Sequence, residues 1–330
     1  MSTHIEPRVM ERATPLAEVK RRFAVIVPAY DEVENVPELM AELRATWERH
    51  GLEGDVILVD DGSTDGTAAA AEAEGWDRLK VVRHRRNFGK TEAILTGAEA
   101  TSADWLVLYD ADLQHDTEEI PRYLERLAQG WDIVTGRKMG EYEKRAVSST
   151  YNRLSRFLFR VPVSDLNSMK AFRREILEEI PLRHDWHRFF VVLAWDRGFS
   201  VTEIDITLHP RRHGVAKYSG RGRILLGLLD LVSVAFYLFF SRKPMVFFGL
   251  SGAVMAAAGI LVGLVTIALR IQQVMPPFGF RPLLYLVVLL ETVGFLLLGF
   301  GFVAEMVAEQ RTELERLHQR LERDRGGAGD

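Results

Sequence analysis

Leu106-Val107-Leu108-Tyr109-Asp110-Ala111-Asp112-Leu113-Gln114 decides the reading of this chain: a short apolar run that breaks off into two carboxylates and an amide. Enzymes built on α/β sheets place chemistry at strand ends. Alternation along an extended backbone predicts Asp110 and Asp112 on one side, with Gln114 following, so that oxygen donors converge on one point. Hard oxygen donors suit Mg²⁺ or Mn²⁺, whose shells are completed by water and substrate phosphate when the protein supplies few groups. The pattern therefore points to a phosphorylated substrate. The same carboxylates also fit as caps of a helix beginning near Thr117, and this stretch alone does not separate the two readings.

Outward from this run, apolar strand patterns at Phe23 to Val27, Val56 to Val59, Leu79 to Val82, Trp105 to Tyr109 and Ile133 to Thr135 alternate with helical ones. Strand–helix alternation predicts an α/β fold with a mostly parallel sheet. In the first helix Val36, Leu39, Met40, Leu43 and Trp47 recur at helical spacing, with Pro37 near its start and Gly51 just past its end. Residues 151–198 read as mainly helical, followed by a last strand at Val201 to Thr207.

Two long apolar stretches, 246–269 and 283–304, are each long enough to cross a bilayer. Glu291 is their one charged residue, and Arg270 and Arg281 bracket a short link containing Pro276-Pro277, which predicts a transmembrane hairpin. Arg242 and Lys243 precede it, and Arg311, Arg316, Arg320, Arg323 and Arg325 follow it. The excess of basic residues on these flanks predicts an integral membrane protein whose catalytic domain and termini are cytoplasmic. The run 224–240, broken by Asp230, is short for a span and predicts an interfacial helix.

The expected organisation is a disordered basic tail (1–22), an α/β domain (23–220), interfacial amphipathic helices (221–243), the hairpin (244–308) and a charged C-terminal helix (309–330). Leu314, Leu317 and Leu321 share one face of that helix, which suits a homo-oligomer contact and a solvated tail equally. No cysteine occurs among the 330 residues, excluding thiol catalysis, disulfides and cysteine-ligated zinc. A net charge of −4 gives no reason to expect nucleic acid, and the clusters Arg83 to Arg86 and Arg211-Arg212 fit phosphate or lipid headgroups better.

The loops after the strands carry polar residues in a telling order: Val27-Pro28-Ala29-Tyr30-Asp31-Glu32, then Val59-Asp60-Asp61-Gly62-Ser63-Thr64-Asp65-Gly66-Thr67, then Asn87-Phe88-Gly89-Lys90. The acidic run Asp110 to Gln114 comes next, and later Arg211-Arg212-His213-Gly214-Val215-Ala216-Lys217-Tyr218. In this order the motifs resemble family 2 glycosyltransferases, and within them the polyprenyl-phosphate sugar synthases of the dolichyl-phosphate mannose synthase and bactoprenol glucosyltransferase type. The resemblance covers residues 23 to about 240. It implies a GT-A fold and metal-dependent, inverting transfer of a hexose from a UDP- or GDP-sugar to a polyprenyl phosphate at the membrane.

Residue by residue, the resemblance puts Pro28, Ala29, Tyr30, Glu32, Asp60, Asp61, Lys90 and Asp110 around the donor nucleotide. It makes Asp112 and Gln114 the ligands of Mg²⁺ or Mn²⁺, and assigns Arg211 and Lys217 to a basic loop over the diphosphate. Arg137, Arg145 and Ser149 match acceptor-phosphate positions, and His187 is a minor candidate facing the sugar. The sequence departs from the family in Asp165-Leu166-Asn167-Ser168-Met169-Lys170, where a glycine is missing and Met169 replaces an aromatic, and at Ala216, where serine is frequent. A processive polysaccharide synthase would need more membrane helices and a Gln-x-x-Arg-Trp motif, which this chain lacks. An inactive scaffold serving membrane interactions is the other alternative, and retention of the acidic run speaks against it.

Overall fold

In the computed structural model of the chain, residues 9–139, 159, 161–166, 168–180, 182, 189–212, 232–234, 236, 244–272 and 280–326 are described. They belong to two compact units, 1–230 and 231–330.

The first unit is built on a seven-stranded sheet in the order β3-β2-β1-β4-β6-β5-β7. Its strands are β1 (Phe23–Ala29), β2 (Asp55–Asp60), β3 (Leu79–Arg83), β4 (Trp105–Leu108), β5 (Ile133–Met139), β6 (Lys170–Arg173) and β7 (Val201–Thr207). The β1–β2, β1–β4, β2–β3 and β5–β7 pairs are parallel, while β6 runs antiparallel to both β4 and β5. Phe23 through Val27 are all essentially inaccessible, as expected of a central strand covered on both faces. The pairing of β1 with β4 stops at Ile26, so Pro28, which has no N–H to give, lies beyond the end of that ladder. Helix α2 (Val36–His50), which follows a short α1 (Leu16–Val19), buries Val36, Leu39, Met40, Leu43 and Trp47 against the sheet. The Trp47 indole packs between Phe23 and Trp76, and its N–H donates to the Gly54 carbonyl at 2.7 Å.

Two expectations are corrected. Within the stretch expected to be mainly helical, Lys170–Arg173 is a strand that closes the gap between β4 and β5. Four residues are too few to display a period, so the strand is set by pairing on both edges. Residues 9–22, expected as part of a disordered tail, are tied down: Arg12 pairs with Asp132 at 2.6 Å and Glu175 at 2.5 Å, and the Thr14 N–H donates to the Ala128 carbonyl at 2.9 Å.

The second unit contains two long helices. Further helices of the first unit are α3 (Thr67–Ala73), α4 (Lys90–Glu99), α5 (Ile120–Ala128), α6 (Glu175–Glu179) and α7 (Phe190–Asp196), and the long pair are α8 (Pro244–Ile271) and α9 (Phe280–Gly326). Helix α8 and residues Arg281–Gln310 of α9 are long and apolar enough to cross a membrane, and little of either is buried. They run antiparallel in close contact: a Cβ on Gly252 would lie 2.6 Å from the Gly294 carbonyl oxygen, and one on Gly259 would lie 2.7 Å from the Glu291 carboxylate. The expected interfacial helix at 224–240 falls almost wholly outside the described residues.

Lys170 sits opposite Leu108 of β4 and Thr135 of β5, is 4% exposed, and donates to the Leu166 carbonyl at 3.2 Å. Burial pushes its ammonium down to about 8 from the ordinary 10.5, with Lys90 acting in the same direction and Asp110 and Asp165 opposing. The unfolded lysine therefore holds more protons than the folded one between those two values, and stability rises with pH across that window. Wild type should gain on the order of 2 kcal/mol over Lys170→Met between pH 8 and 10.5. Denaturant unfolding of the detergent-solubilised protein checks this, and parallel pH curves for the two proteins would refute it. A second expectation concerns α4, where a Cβ on Gly97 would meet Ile26 of β1 at 2.5 Å. Gly97→Val should cost about 1–3 kcal/mol by overpacking, read as a lowered thermal midpoint.

Candidate active site

The carboxyl ends of β1, β2 and β4 face a common set of loops, as the sheet order dictates. The loop after β1 is clasped to the loop after β2. The Asp31 N–H donates to Ser63 Oγ at 2.8 Å, and Asp31 Oδ1 accepts from the Thr64 N–H at 2.9 Å. The Glu32 N–H reaches Thr67 Oγ1 at 2.8 Å, and the Val33 N–H reaches Asp65 Oδ2 at 3.0 Å. These bonds offset the strain of Asp31, whose φ of 50° is unusual for a residue with a side chain.

Asp60 and Asp61 hold the loops rather than projecting freely. Asp60 accepts from the Ser63 N–H at 2.9 Å. Asp61 accepts from the Phe88 and Gly89 N–H groups, both at 2.8 Å, and from His84 Nδ1 at 2.8 Å, while His84 Nε2 meets Thr96 Oγ1 at 2.9 Å. Gly62 has no alternative here, because φ is 75° and a Cβ would lie 2.4 Å from the Arg86 backbone.

Strand β4 ends at Leu108, before the acidic run, so strand alternation does not arrange Asp110 and Asp112. A turn does so instead. Leu113, at φ 55°, and Ala111 are buried in the core, leaving Asp110, Asp112 and Gln114 half-buried on the other side. The buried Tyr109 hydroxyl donates to the His115 carbonyl and holds the turn in shape. As for capping, the side chain that accepts from a helical N–H is Asp116, from Glu118 at 2.9 Å.

Each carboxylate at this turn faces a cation. Lys90, at the start of α4, pairs with Asp110, and Arg211 Nη2 meets Asp112 Oδ2 at 2.7 Å. Lys138 lies 3.6 Å from Asp165. Desolvation works to raise the Asp110 carboxyl, but the Lys90 ammonium outweighs it and holds the group well below the usual carboxylate range. Burial and the charge of Asp110 push Asp112 up to about 6, against the pull of Arg211. Burial pushes the His115 imidazole down to about 4. Asp112 thus remains short of positive charge with an arginine already on it. One carboxylate and one neighbouring amide oxygen are hard donors, and a divalent ion fits that donor set. Among the described residues no three His, Asp or Glu side chains form a fuller cage.

Other expected site residues are placed as follows. Arg137, on β5, pairs with Asp205 at 2.5 Å and Glu203 at 3.3 Å of the neighbouring β7. Glu32 accepts from Asn35 Nδ2 at 2.5 Å, Pro28 and Ala29 end β1, and Tyr30 follows at the start of the clasped loop. Arg145, Ser149, His187 and Lys217 lie outside the described residues. Sequence reasoning missed His84, submerged in a basic run, and Lys170. It also missed the grip of Arg212 on Glu38 and Glu42 of α2, since residues 174 and 170 positions apart leave no periodic trace.

The family model for glycosyl transferase family 2 matches residues 24–190. The undecaprenyl-phosphate 4-deoxy-4-formamido-L-arabinose transferase of Pseudomonas paraeruginosa is 32% identical over 88% of this chain and 86% of its own length. The dodecaprenyl-phosphate galacturonate synthase of Rhizobium johnstonii is 30% identical over 93% of each chain. Among solved structures, glucosyl-3-phosphoglycerate synthase from Mycobacterium tuberculosis, in complex with Mn²⁺, uridine diphosphate and phosphoglyceric acid, superposes with a TM-score of 0.53 at 20% identity. That likeness covers 70% of this chain and 83% of the other, and it shows a shared GT-A fold. From the match to the family model and the extent of the sequence relatives, the chain belongs to glycosyl transferase family 2 and is a glycosyltransferase.

Proposed function

We propose that this enzyme transfers a sugar, with inversion, from a nucleotide-diphosphate donor to a polyprenyl phosphate at the cytoplasmic face of a membrane. The observation that carries the reading is the pairing of Asp112 with Arg211, beside Gln114, at the end of β4, in a chain that also contains the apolar helices α8 and α9. The named relatives support the lipid acceptor, since their names place sugars on undecaprenyl and dodecaprenyl phosphate. Their sugars are a formamido-arabinose and a galacturonate, so the donor for this chain is sought among hexoses, uronic acids and amino-pentoses alike.

Donor binding falls to the clasped loops after β1 and β2, with Pro28, Ala29, Tyr30, Glu32, Asp60 and Asp61 around the nucleotide. Asp112 and Gln114 would hold Mg²⁺ or Mn²⁺, which when bound supplies neutralisation of the departing diphosphate. Arg211 leaves its carboxylate for the donor phosphates, and Lys90 keeps Asp110 ionised beside them. The acceptor phosphate needs no strong base, because its second ionisation lies near pH 6 and its nucleophilic oxygen is largely anionic at neutral pH. Arg137, with Arg145 and Ser149, orients it, and the phosphate competes there with Asp205 and Glu203 for the Arg137 guanidinium. The domain limits proposed are 23–220 for catalysis, 221–243 at the interface, 244–308 for the hairpin and 309–330 for the cytoplasmic end.

Purified full-length protein offered labelled UDP- and GDP-sugars with undecaprenyl or dolichyl phosphate should move label into the organic phase when Mg²⁺ or Mn²⁺ is present. No transfer with any pair would sink the reading. Asp112→Asn should lower turnover by roughly a thousandfold or more, and a near-normal rate in saturating Mg²⁺ would remove Asp112 from the metal site.

A further inference from the structure

We infer that Arg212 is a positioning residue: gripped by Glu38 and Glu42, it latches the segment after β7 over Asp112 and Gln114 and so presents Arg211 to the site. This rests on the proposed role of Asp112 and Gln114 in donor binding. The segment 208–212 has no strand pairing of its own, yet it is pinned at successive points. The His209 N–H donates to the Gln114 carbonyl at 2.8 Å, and the Gln114 side-chain amide returns a bond to the His209 carbonyl at 3.4 Å. Arg211 turns inward to Asp112 at 2.7 Å. Its neighbour Arg212 turns outward to Glu42 at 2.8 Å and to Glu38.

The post for this latch is itself fixed to the acidic turn. Thr46 of α2 bonds Thr117 at 2.7 Å, and His50 meets Glu118 at 2.7 Å, so α2 is tied to residues just past Gln114. Glu38 and Glu42 stand one turn apart, where two like charges repel, and a guanidinium between them relieves that repulsion. The three side chains are 42%, 40% and 31% exposed, so water weakens the grip. A grip of this kind is strong enough to bias the segment and weak enough to release it. Its effect is to keep Arg211 at a high effective concentration beside Asp112, ready to pass to the donor phosphates.

The test uses full-length Glu38→Gln/Glu42→Gln protein, which keeps every arginine and every residue assigned to the site. Tryptic cleavage after Arg211 and Arg212, read by fragment mass without donor or metal, should accelerate. Donor KM should rise ~3- to 10-fold while kcat changes less than twofold and the half-saturating metal concentration does not rise. Arg212→Glu alone should raise KM as the double variant does, and combining it with Glu42→Arg should restore wild-type KM, which a general loss of stability would not allow. Wild-type cleavage and KM in the double variant would overturn the latch, as would a fall in kcat and thermal midpoint with no rescue by the charge swap. If wild type transfers no sugar, the functional reading fails, and the rate of tryptic cleavage after Arg211 and Arg212 in the Glu38→Gln/Glu42→Gln protein, against wild type, still decides the latch.

Discussion

Negative charge gathered at one end of a sheet has to be balanced, and that requirement organises this molecule. Asp110, Asp112 and Asp165 each meet a cation from a different part of the chain: Lys90 from the start of α4, Arg211 from beyond β7, and Lys138 from the end of β5. The strand order brings those ends together, and no local stretch of sequence could. The cations at this end of the sheet are thus already engaged by carboxylates. The raised Asp112 carboxyl registers a shortage of positive charge.

Much of this was legible in the sequence because the signals were local. The parallel strands announced themselves as apolar runs, the first helix by the spacing of Val36 through Trp47, and the two long apolar helices by their length and composition. The acidic run is legible in the sequence, whereas the turn that shapes it is not. Alternation was assumed to continue through Asp112, whereas Leu113 takes a left-handed turn that no periodicity announces. Strand β6 was hidden for a related reason: Lys170 to Arg173 are held by partners on both sides, not by any pattern of their own. Asp61 shows a subtler limit, since its motif names the residue but not that backbone N–H groups and His84 occupy its oxygens.

The two units also differ in how they achieve close packing. In the sheet, large side chains such as Trp47, Phe23 and Tyr109 fill space between layers. In the helical pair, absence of side chain does the same job: Gly252 and Gly294 let backbones approach where a methyl group would collide. For helices that cross a bilayer, lipid offers no hydrophobic gain on association, and close backbone contact of this kind is the main attraction left.

The split of the sheet into β3-β2-β1-β4 and β6-β5-β7 has a consequence for the order of assembly. The first four strands all come from residues 23–108 and join through short crossovers, so they can form while the chain is still being made. The other three come from residues 133–207 and are synthesised only afterwards. Asp112 emerges with the early half, but its arginine follows 99 residues later. The ribosome therefore delivers the scaffold of the site well before its charge balance, and only a chain that has docked its last strand presents a neutralised acidic turn.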